Sequence, residues 1–322
     1  MNTTNEGAKN MKYFVTGGAG FIGSNLVDTL MKENPEQLTI MDNLRTGKAE
    51  FLEDHKGKQN FTFLKKDMKI EKSYPKESFD WVFHLAANAD IRGGIHNTRV
   101  DLEENVLGTH AVLEFMRKYD IKKLVYASSS ALYGETKIIP TPENIPDIKP
   151  ISFYGASKIA SEHFVSSYCH TYGMQAWMFR FANVVGRRST HGVIPDFVKK
   201  LHKNSRELEI LGDGNQRKSY FDVSDCIAGL INIPKAAHHA VVEAYNLANT
   251  ESILVKDLAP IIVDEMGLKD VKYKFTGGDR GWVGDVPITV LSIEKAQKLG
   301  WKVHISLDEA VRRTVRYLLD EA

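Results

Sequence analysis

The stretch KYFVTGGAGFIG, residues 12–23, decides the fold expected for this chain. Its first five residues, Lys12–Thr16, are a β-forming and mostly apolar run, and its end opens the amphipathic pattern of a helix. Between them the glycines have the spacing G-x-x-G-x-x-G. A strand, a glycine turn and a helix in this order let the backbone approach a pyrophosphate at a helix N-terminus. The stretch therefore predicts a dinucleotide-binding site at Gly17, Gly20 and Gly23.

An acidic residue, Asp42, follows Gly23 by 19 residues, at the end of the next predicted strand. A carboxylate in this place holds the ribose hydroxyls of a dinucleotide and repels a 2′-phosphate. Arg45 stands three residues later, where it could weaken that preference or be a solvated loop charge. We expect the cofactor to be NAD.

Short β-rich runs alternate with helical patterns in the N-terminal half. The expected strands are Lys12–Thr16, Leu38–Met41, Phe61–Leu64, Trp81–Leu85, Lys123–Ala127 and Ala176–Phe181. The expected helices are Phe21–Glu33, Val100–Tyr119 and Ser157–Tyr172. This alternation predicts an α/β fold over residues 11–182, a doubly wound parallel sheet of the Rossmann type. Helical patterns dominate residues 183–322, where we expect a smaller, mixed α/β substrate-binding domain. Residues around 220–250 could return to the first domain.

The composition excludes several classes of protein. The chain has 322 residues, 43% of them apolar and 26% charged, which is typical of a globular protein. With a net charge of +1 and no basic arm, neither nucleic acid nor an anionic membrane is expected as a partner. No apolar run approaches the roughly 18 residues that a bilayer span needs. Two cysteines are too few for a disulfide framework or a Cys-based zinc site, and no metal site is predicted. Residues 1–10 are polar and lack the apolar core of a signal peptide, and they are interpreted as a flexible tail. We therefore expect a cytoplasmic protein.

A catalytic pair is indicated by the spacing Tyr-x-x-x-Lys. It occurs three times: Tyr119/Lys123, Tyr133/Lys137 and Tyr154/Lys158. Only the last pair enters a long helical pattern, where residues four apart share one face. The nearby cation lowers the pKa of the phenol and makes it a general base. A predicted strand ends in the hydroxyls of residues 128–130, which either assist this base or form only a serine-rich turn.

Together these motifs resemble the extended short-chain dehydrogenase/reductase family, specifically its NAD-dependent nucleotide-sugar epimerases of the UDP-glucose 4-epimerase type. The resemblance covers nearly everything from Met11 to the end. The matching stretches are residues 15–24, 41–44, 84–88, 105–109, 128–134, 154–158, 180–183, 212–214 and 284–287.

The resemblance implies a role for each matching residue. Tyr154 is expected as the base, Lys158 as its partner and Ser129 as the catalytic hydroxyl. The expected NAD contacts are Gly17, Gly20, Phe21, Ile22, Gly23, Asp42, Asn43, Asp67, Met68, Ala86, Ala87, Asn105, Tyr154 and Lys158. The expected contacts to the sugar nucleotide are Ser129, Asn183, Val193, Lys218 and Arg280. Many relatives carry arginine in place of Lys218, and lysine keeps the charge but loses the bidentate fork.

The activity implied is 4-epimerisation of a UDP-sugar by transient oxidation at C4, with UDP-glucose and UDP-galactose as substrates, as in galactose metabolism. Related dehydratases and decarboxylases typically carry an acid directly after the catalytic hydroxyl, where this chain has Ser130 and Ala131. A UDP-glucuronate epimerase or decarboxylase and a sugar-nucleotide dehydratase stay open as alternatives. So do a net oxidoreductase and a non-catalytic NAD-sensing protein.

Further expectations concern which sugars the substrate carries and the oligomeric state of the protein. Thr289, a small residue, is expected to leave room for the N-acetyl forms of the substrate. Three residues could bind a uronate carboxylate or be surface charges: Arg187, Arg188 and His191. The resemblance also implies a homodimer through the helices expected at Val100–Tyr119 and Ser157–Tyr172. Their apolar positions include Leu113, Phe164 and Val165, for which burial in the core is an equally good account.

Overall fold

The computed structural model describes residues 11–320, so the expected tail at residues 1–10 lies outside the described residues. The strands are β1 Lys12–Thr16, β2 Gln37–Asp42, β3 Phe61–Lys65, β4 Trp81–His84, β5 Lys123–Ser129, β6 Gln175–Phe181, β7 Asn183–Val185, β8 Glu207–Ile210, β9 Arg217–Lys218, β10 Tyr220–Asp222, β11 Val242–Leu247, β12 Ile253–Leu254, β13 Lys272–Phe275 and β14 Ile288–Thr289. The α-helices are α1 Phe21–Lys32, α2 Gly93–His96, α3 Arg99–Asp101, α4 Gly108–Lys118, α5 Phe153–Tyr172, α6 Val193–Lys203, α7 Val223–Ala236, α8 Val255–Glu265, α9 Glu294–Gln297 and α10 Leu307–Asp320. Short 3₁₀ turns are Ala49–His55, Glu71–Ser73 and Ser130–Tyr133.

The central sheet has seven strands in the order β3-β2-β1-β4-β5-β6-β11. Strand β1 pairs in parallel with both β2 and β4, and the order reverses direction between β1 and β4. Parallel strands of this kind require helical crossovers, which the intervening helices supply. The predicted doubly wound, Rossmann-like sheet is confirmed. The reversal creates a topological switch point at the carboxyl ends of β1 and β4, where ligands of such sheets bind.

One predicted helix differs from the structure. The expected helix Val100–Tyr119 is divided into α3, a π-helical segment at Leu102–Leu107, and α4. Wider π turns are uncommon and are frequent at functional sites. In this one, the side chains of Asn105 and Val106 are buried, while those of Leu102 and Leu107 are exposed.

The chain forms two compact units. Among residues 11–320, unit 1 consists of residues 11–128, Ala156–Phe179 and Pro234–Ala244. Unit 2 consists of Ser129–Gly155, Arg180–Ile233 and residues 245–320. Residues 129–155, which fall within the first domain expected at residues 11–182, lie in unit 2.

Each unit has its own apolar core. In unit 1, the buried ring of Phe14 on β1 lies between three aromatic rings, with ring centroids at 6.0 Å to Tyr74, 5.2 Å to Phe79 and 5.1 Å to Phe115. In unit 2, helices α6, α8 and α10 bury their apolar faces against one another and against β8 and β10. The buried side chains there include Phe197, Leu201, Leu208, Tyr220, Leu258, Ile262, Val311 and Val315.

No helix in residues 11–320 is both long enough and apolar enough to span a bilayer. Within the same residues, no three His, Cys, Asp or Glu side chains are grouped as the ligands of a metal ion would be.

We predict that Phe14→Ala lowers the free energy of unfolding by about 3–5 kcal/mol, because it empties the centre of the aromatic cluster in unit 1. The matched control is Phe275→Ala, whose ring on β13 is 46% exposed, and we expect its effect to be much smaller. Urea unfolding of both variants measures the difference. Equal losses in the two variants would contradict the assignment of Phe14 to the core.

Candidate active site

The loop between β1 and α1 forms a cradle that side chains cannot enter. Gly17 has φ +72°, and a Cβ on it would lie 2.5 Å from the backbone nitrogen of Ala86 in the loop after β4. A Cβ on Gly23 would collide with the carbonyl oxygen of Gly17. Gly20 precedes α1 without a side-chain cap, and the first turn of α1 has no acidic residue. The helix N-terminus therefore offers its N–H groups to an anion, and the cradle fits the pyrophosphate of NAD.

Asp42, at the end of β2, is fixed beside this cradle. Its Oδ2 accepts a hydrogen bond from the N–H of Ala19 at 3.0 Å, and its Oδ1 accepts one from the N–H of Leu44 at 2.8 Å. Burial raises the pKa of Asp42, and these two bonds oppose that effect. The side chain of Arg45 reaches Asn88 Oδ1, at 3.4 Å from its Nη2. The carboxylate is thus held where a ribose is expected, while Arg45 is engaged with the loop after β4.

The loop after β3 carries Asp67 and Met68, the residues expected at the adenine. Asp67 Oδ1 accepts a hydrogen bond from the N–H of Lys69 at 2.9 Å. The Lys69 ammonium lies 3.7 Å from Asp67 Oδ2 and also bonds to Glu104. Met68 is buried against Gly108, the first residue of α4. Lys69 therefore links the predicted adenine loop to the π-helical segment.

The ammonium of Lys158 is buried at the carboxyl end of β5. Its Nζ donates to the carbonyl oxygen of Ala127 at 2.8 Å and lies 5.1 Å from the ring centroid of Tyr126. Burial lowers the pKa of Lys158 to about 8, against the opposing charges of Glu162 and Asp101. The Oγ of Ser128 donates to Glu162 Oε1 at 2.5 Å.

His84 packs beside Tyr126 and bridges two threonines. Its ring nitrogens lie 2.7 Å from Thr16 Oγ1 and 3.1 Å from Thr109 Oγ1. Burial, together with the charge of Lys158, lowers the pKa of His84 to about 3, so its ring is neutral at physiological pH. A neutral imidazole adds no second positive charge near Lys158.

Ser129 and Tyr154 lie in unit 2, with Tyr154 one helical turn before Lys158 on α5. Ser129 caps the turn Ser130–Tyr133, and its Oγ accepts the N–H of Ala131 at 3.2 Å. A Cβ on Gly155 would lie 2.5 Å from the carbonyl oxygen of Ala131, so glycine lets the start of α5 approach this turn. The close approach brings the segments that carry Ser129 and Tyr154 together.

The two predicted diphosphate cations of unit 2 both bond to Asp285, Lys218 to its carboxylate and Arg280 to its main-chain carbonyl oxygen. Lys218, on β9, donates to Asp285 Oδ1 at 2.8 Å and to the carbonyl oxygen of Val286. Arg280 donates to the carbonyl oxygen of Asp285 at 3.2 Å and pairs with Glu135. The sequence assigns no role to Asp285 or Glu135. Asp285 lies five residues from Arg280 along the chain, and Glu135 lies 145 residues from it.

Of the other residues predicted to bind or select the sugar nucleotide, Asn183 and Thr289 are linked to the strand of Lys218. Asn183 Nδ2 donates at 2.9 Å to the carbonyl oxygen of Ser219, the residue after Lys218. Thr289 pairs with Lys218 across β14 and β9. Val193 is the first residue of α6, whose preceding Gly192 has φ +105° and no side-chain cap.

The three residues considered for a uronate carboxylate separate by burial. Arg188 is buried with φ +68°, while Arg187 and His191 are exposed.

Comparison with known proteins finds similar sequences and structures among nucleotide-sugar epimerases and dehydratases. A sequence model of the NAD dependent epimerase/dehydratase family matches residues 13–248. A protein of Methanocaldococcus jannaschii, provisionally named a UDP-glucose 4-epimerase, is 37% identical over 94% of this chain and 97% of its own. The structure of UDP-N-acetylglucosamine 4-epimerase from Methanobrevibacter ruminantium, in complex with UDP-N-acetylmuramic acid, is 28% identical with a TM-score of 0.87, covering 98% of this chain and all of that one. The NAD-bound dTDP-glucose 4,6-dehydratase DesIV from Streptomyces venezuelae is 25% identical with a TM-score of 0.88, covering 96% and 97% of the two chains.

We predict that Gly17→Ala abolishes binding of NAD, because its methyl group would meet the backbone of Ala86 and displace one wall of the cradle. The matched control is Gly173→Ala. Gly173 also has a positive φ, +62°, but no atom lies within 4 Å of a Cβ added there. The NAD released from each purified variant on heat denaturation is the measurement. A wild-type NAD content in Gly17→Ala would contradict the assignment of the cradle.

Proposed function

Because the chain belongs to the NAD-dependent epimerase/dehydratase family, we propose that it epimerises C4 of a UDP-sugar, interconverting UDP-glucose and UDP-galactose and accepting their N-acetyl forms. Membership of the family confirms the resemblance read from the motifs. The enzyme is an isomerase of the UDP-glucose 4-epimerase kind, and its cofactor is NAD.

In the proposed reaction, Tyr154 removes the proton of the C4 hydroxyl and later returns it, while Ser129 hydrogen-bonds the same oxygen. Lys158 is the charge that stabilises the phenolate of Tyr154, one turn away on α5. NAD, held by the glycine cradle and Asp42, would supply the acceptor for the C4 hydride and its donor to the opposite face of the sugar. The 4-keto sugar must rotate in the site between the two hydride transfers. We therefore expect the protein to bind the nucleotide more tightly than the sugar.

The observation that carries epimerisation rather than dehydration is the chemistry of the turn after Ser129. A dehydratase must protonate and eliminate the C6 hydroxyl, and its relatives place an acid directly after the catalytic hydroxyl. Here Ser129 caps a turn that begins with Ser130 and Ala131, neither of which carries a carboxyl group. The similarity to DesIV is therefore one of fold and cofactor.

Binding of the diphosphate is proposed for Lys218 and Arg280. Both cations are positioned by Asp285. Phosphate oxygens would compete with the carboxylates of Asp285 and Glu135 for these donors. The side chain of Asn183, fixed next to Ser219, is proposed to contact the same substrate.

Acceptance of N-acetyl sugars is proposed from the small side chain of Thr289, and the relative from Methanobrevibacter ruminantium supports it. A second candidate substrate is UDP-glucuronate. It is favoured by Arg188, a buried cation held with a positive φ in the loop before α6.

The direct test follows UDP-glucose by NMR with purified protein and no added NAD. We predict conversion to UDP-galactose by the wild type, and a loss of at least a hundredfold in Tyr154→Phe, which lacks the proton-accepting oxygen. The control is Tyr317→Phe, a half-exposed tyrosine on α10, which should keep full activity. No conversion of either the glucose or the N-acetylglucosamine substrate by NAD-loaded protein would reject the proposal, and conversion of UDP-glucuronate alone would establish the second candidate.

A homodimer is proposed through a surface of exposed and partly exposed side chains along α4 and α5, termed the α4/α5 face. It consists of Leu107, the residue before α4, His110 on α4, and Phe164, Tyr168 and Tyr172 on α5. His110 contacts the rings of Phe164 and Tyr168 at centroid distances of 6.2 and 6.1 Å. Exposed apolar side chains that adjoin one another mark interaction sites. Leu113 and Val165, considered for this contact from the sequence, are buried in the core of unit 1.

We predict that the wild type has twice the mass of one chain in light scattering, and that Phe164→Glu reduces it to the mass of one chain. Phe164 is 43% exposed, so its replacement should leave the fold intact. Phe275→Glu places the same charge on β13 and should leave the dimer unchanged. A monomeric wild type, or a dimeric Phe164→Glu variant, would contradict this interface.

The enzyme is proposed to work in the reducing cytoplasm. Both of its cysteines, Cys169 and Cys226, are buried free thiols, which is compatible with that compartment.

A further inference from the structure

A buried carboxylate that the proposed mechanism does not use lies at the start of the π-helical segment. Asp101 is 1% exposed. Its Oδ1 accepts hydrogen bonds from Asn88 Nδ2 at 2.9 Å and from Asn105 Nδ2 at 3.2 Å. Its Oδ2 is also buried and has no hydrogen-bond partner among residues 11–320. Burying a carboxylate oxygen without a hydrogen-bond donor costs free energy of folding. We therefore expect Asp101 to have a role that compensates for this cost.

The two partners of Asp101 belong to the predicted wall of the cofactor site. Asn88 follows Ala86 and Ala87 in the loop after β4, and its N–H donates to Asn105 Oδ1 at 2.7 Å. Asn105 Nδ2 also donates to Ser157 Oγ at 2.8 Å, and Ser157 immediately precedes Lys158. Asn105, four residues after Asp101, contacts all of these groups from within the π-helical segment. One carboxylate thus ties together the loop after β4, the π-helical segment and α5.

Asp101 also acts electrostatically on Lys158. The charge of Asp101 favours the ammonium form of Lys158, and the charge of Lys158 favours the carboxylate form of Asp101. Burial works against both charges, raising the pKa of Asp101 and lowering that of Lys158. Each group therefore makes the other less costly to keep charged.

We propose that Asp101 is a positioning residue for Lys158: it holds Asn88 and Asn105 in the cofactor wall and supplies a counter-charge that keeps Lys158 an ammonium. The inference deepens the proposed function, because it concerns the same Tyr154/Lys158 pair. It assigns to the π-helical segment, which the sequence did not predict, a task in that pair's chemistry.

The groups that face Lys158 come from four elements. Strand β4 contributes neutral His84, β5 contributes the ring of Tyr126 and the carbonyl group of Ala127, and α3 contributes Asp101. Helix α5 itself contributes Glu162. Two carboxylates therefore stabilise the ammonium form of Lys158. Loss of either one leaves a single carboxylate to offset the effect of burial on the pKa of Lys158.

The decisive variant is Asp101→Asn. It keeps an Oδ1 that accepts from Asn88 and Asn105, removes the charge, and replaces the buried Oδ2 by an NH2 group of similar size. The matched control is Glu103→Gln, two residues later, where the carboxylate is paired with Arg99 at the surface. The proton affinity of Lys158 is followed directly by NMR of ¹³Cε-lysine in NAD-loaded protein, with Lys158→Met assigning the signal.

We expect the titration midpoint of Lys158 to fall by about one pH unit in Asp101→Asn, and to stay at the wild-type value in Glu103→Gln. The basic limb of the kcat profile should move by the same amount, because epimerisation needs the ammonium. An unchanged midpoint in Asp101→Asn, or an equal fall in Glu103→Gln, would overturn the proposal.

A second variant, Asp101→Glu, covers the case in which Asp101→Asn does not fold. It keeps the charge and displaces the hydrogen bonds, so NAD content should fall while the Lys158 midpoint stays near the wild-type value. A midpoint that falls as far as one pH unit in Asp101→Glu would overturn the role of the charge. If the midpoints behave as expected but the wild type epimerises no UDP-sugar, the role of Asp101 stands and the proposed function fails.

Discussion

Keeping a positive charge on the buried side chain of Lys158 is the constraint on which the proposed catalytic site depends. A buried ammonium loses its hydration, and only hydrogen bonds and opposite charges can compensate for that loss. Strand β5 supplies the carbonyl group of Ala127 and the ring of Tyr126, and two carboxylates complete the surroundings. Without that charge, a tyrosine one turn away would be a poor base at neutral pH.

The two units handle charge in different ways. In unit 1, the expected pyrophosphate site consists of backbone: the glycine cradle and the uncapped start of α1. In unit 2, the proposed diphosphate site consists of side-chain cations, each already engaged by a carboxylate, Asp285 or Glu135. Under the proposed function, fixed backbone dipoles would suit a cofactor that stays bound, and exchangeable ion pairs would suit a substrate that leaves.

Much of the fold followed from sequence, since the strands of a parallel sheet are buried on both faces and read as short apolar runs. The strands around Gly17 and Asp42 have the expected places, within a residue or two of the predicted bounds. The π-helical segment was missed because hydrophobic periodicity over Val100–Tyr119 does not distinguish a π turn from a regular helix. The small strands of unit 2, two or three residues long, carry too few residues to show a period.

In the candidate site too, the sequence predicted some of the important residues and missed others. Motifs identified the residues expected to touch NAD or substrate, such as Tyr154 and Lys158, because their chemistry fixes both residue type and spacing. Motifs could not identify Asp101 or Glu162, whose importance comes from contacts made only in three dimensions. A lone acid in a helical pattern is indistinguishable from a solvated charge until its burial is known.

The central claim, reversible oxidation at C4 with return of the same hydrogen, is tested most directly with UDP-glucose deuterated at C4. Purified protein without added NAD is incubated with this substrate in ordinary water, and the product is analysed by NMR and mass spectrometry. The account predicts UDP-galactose with the deuterium retained at C4. Loss of the label to solvent, or a 4-keto-6-deoxy product formed by elimination of water, would contradict it.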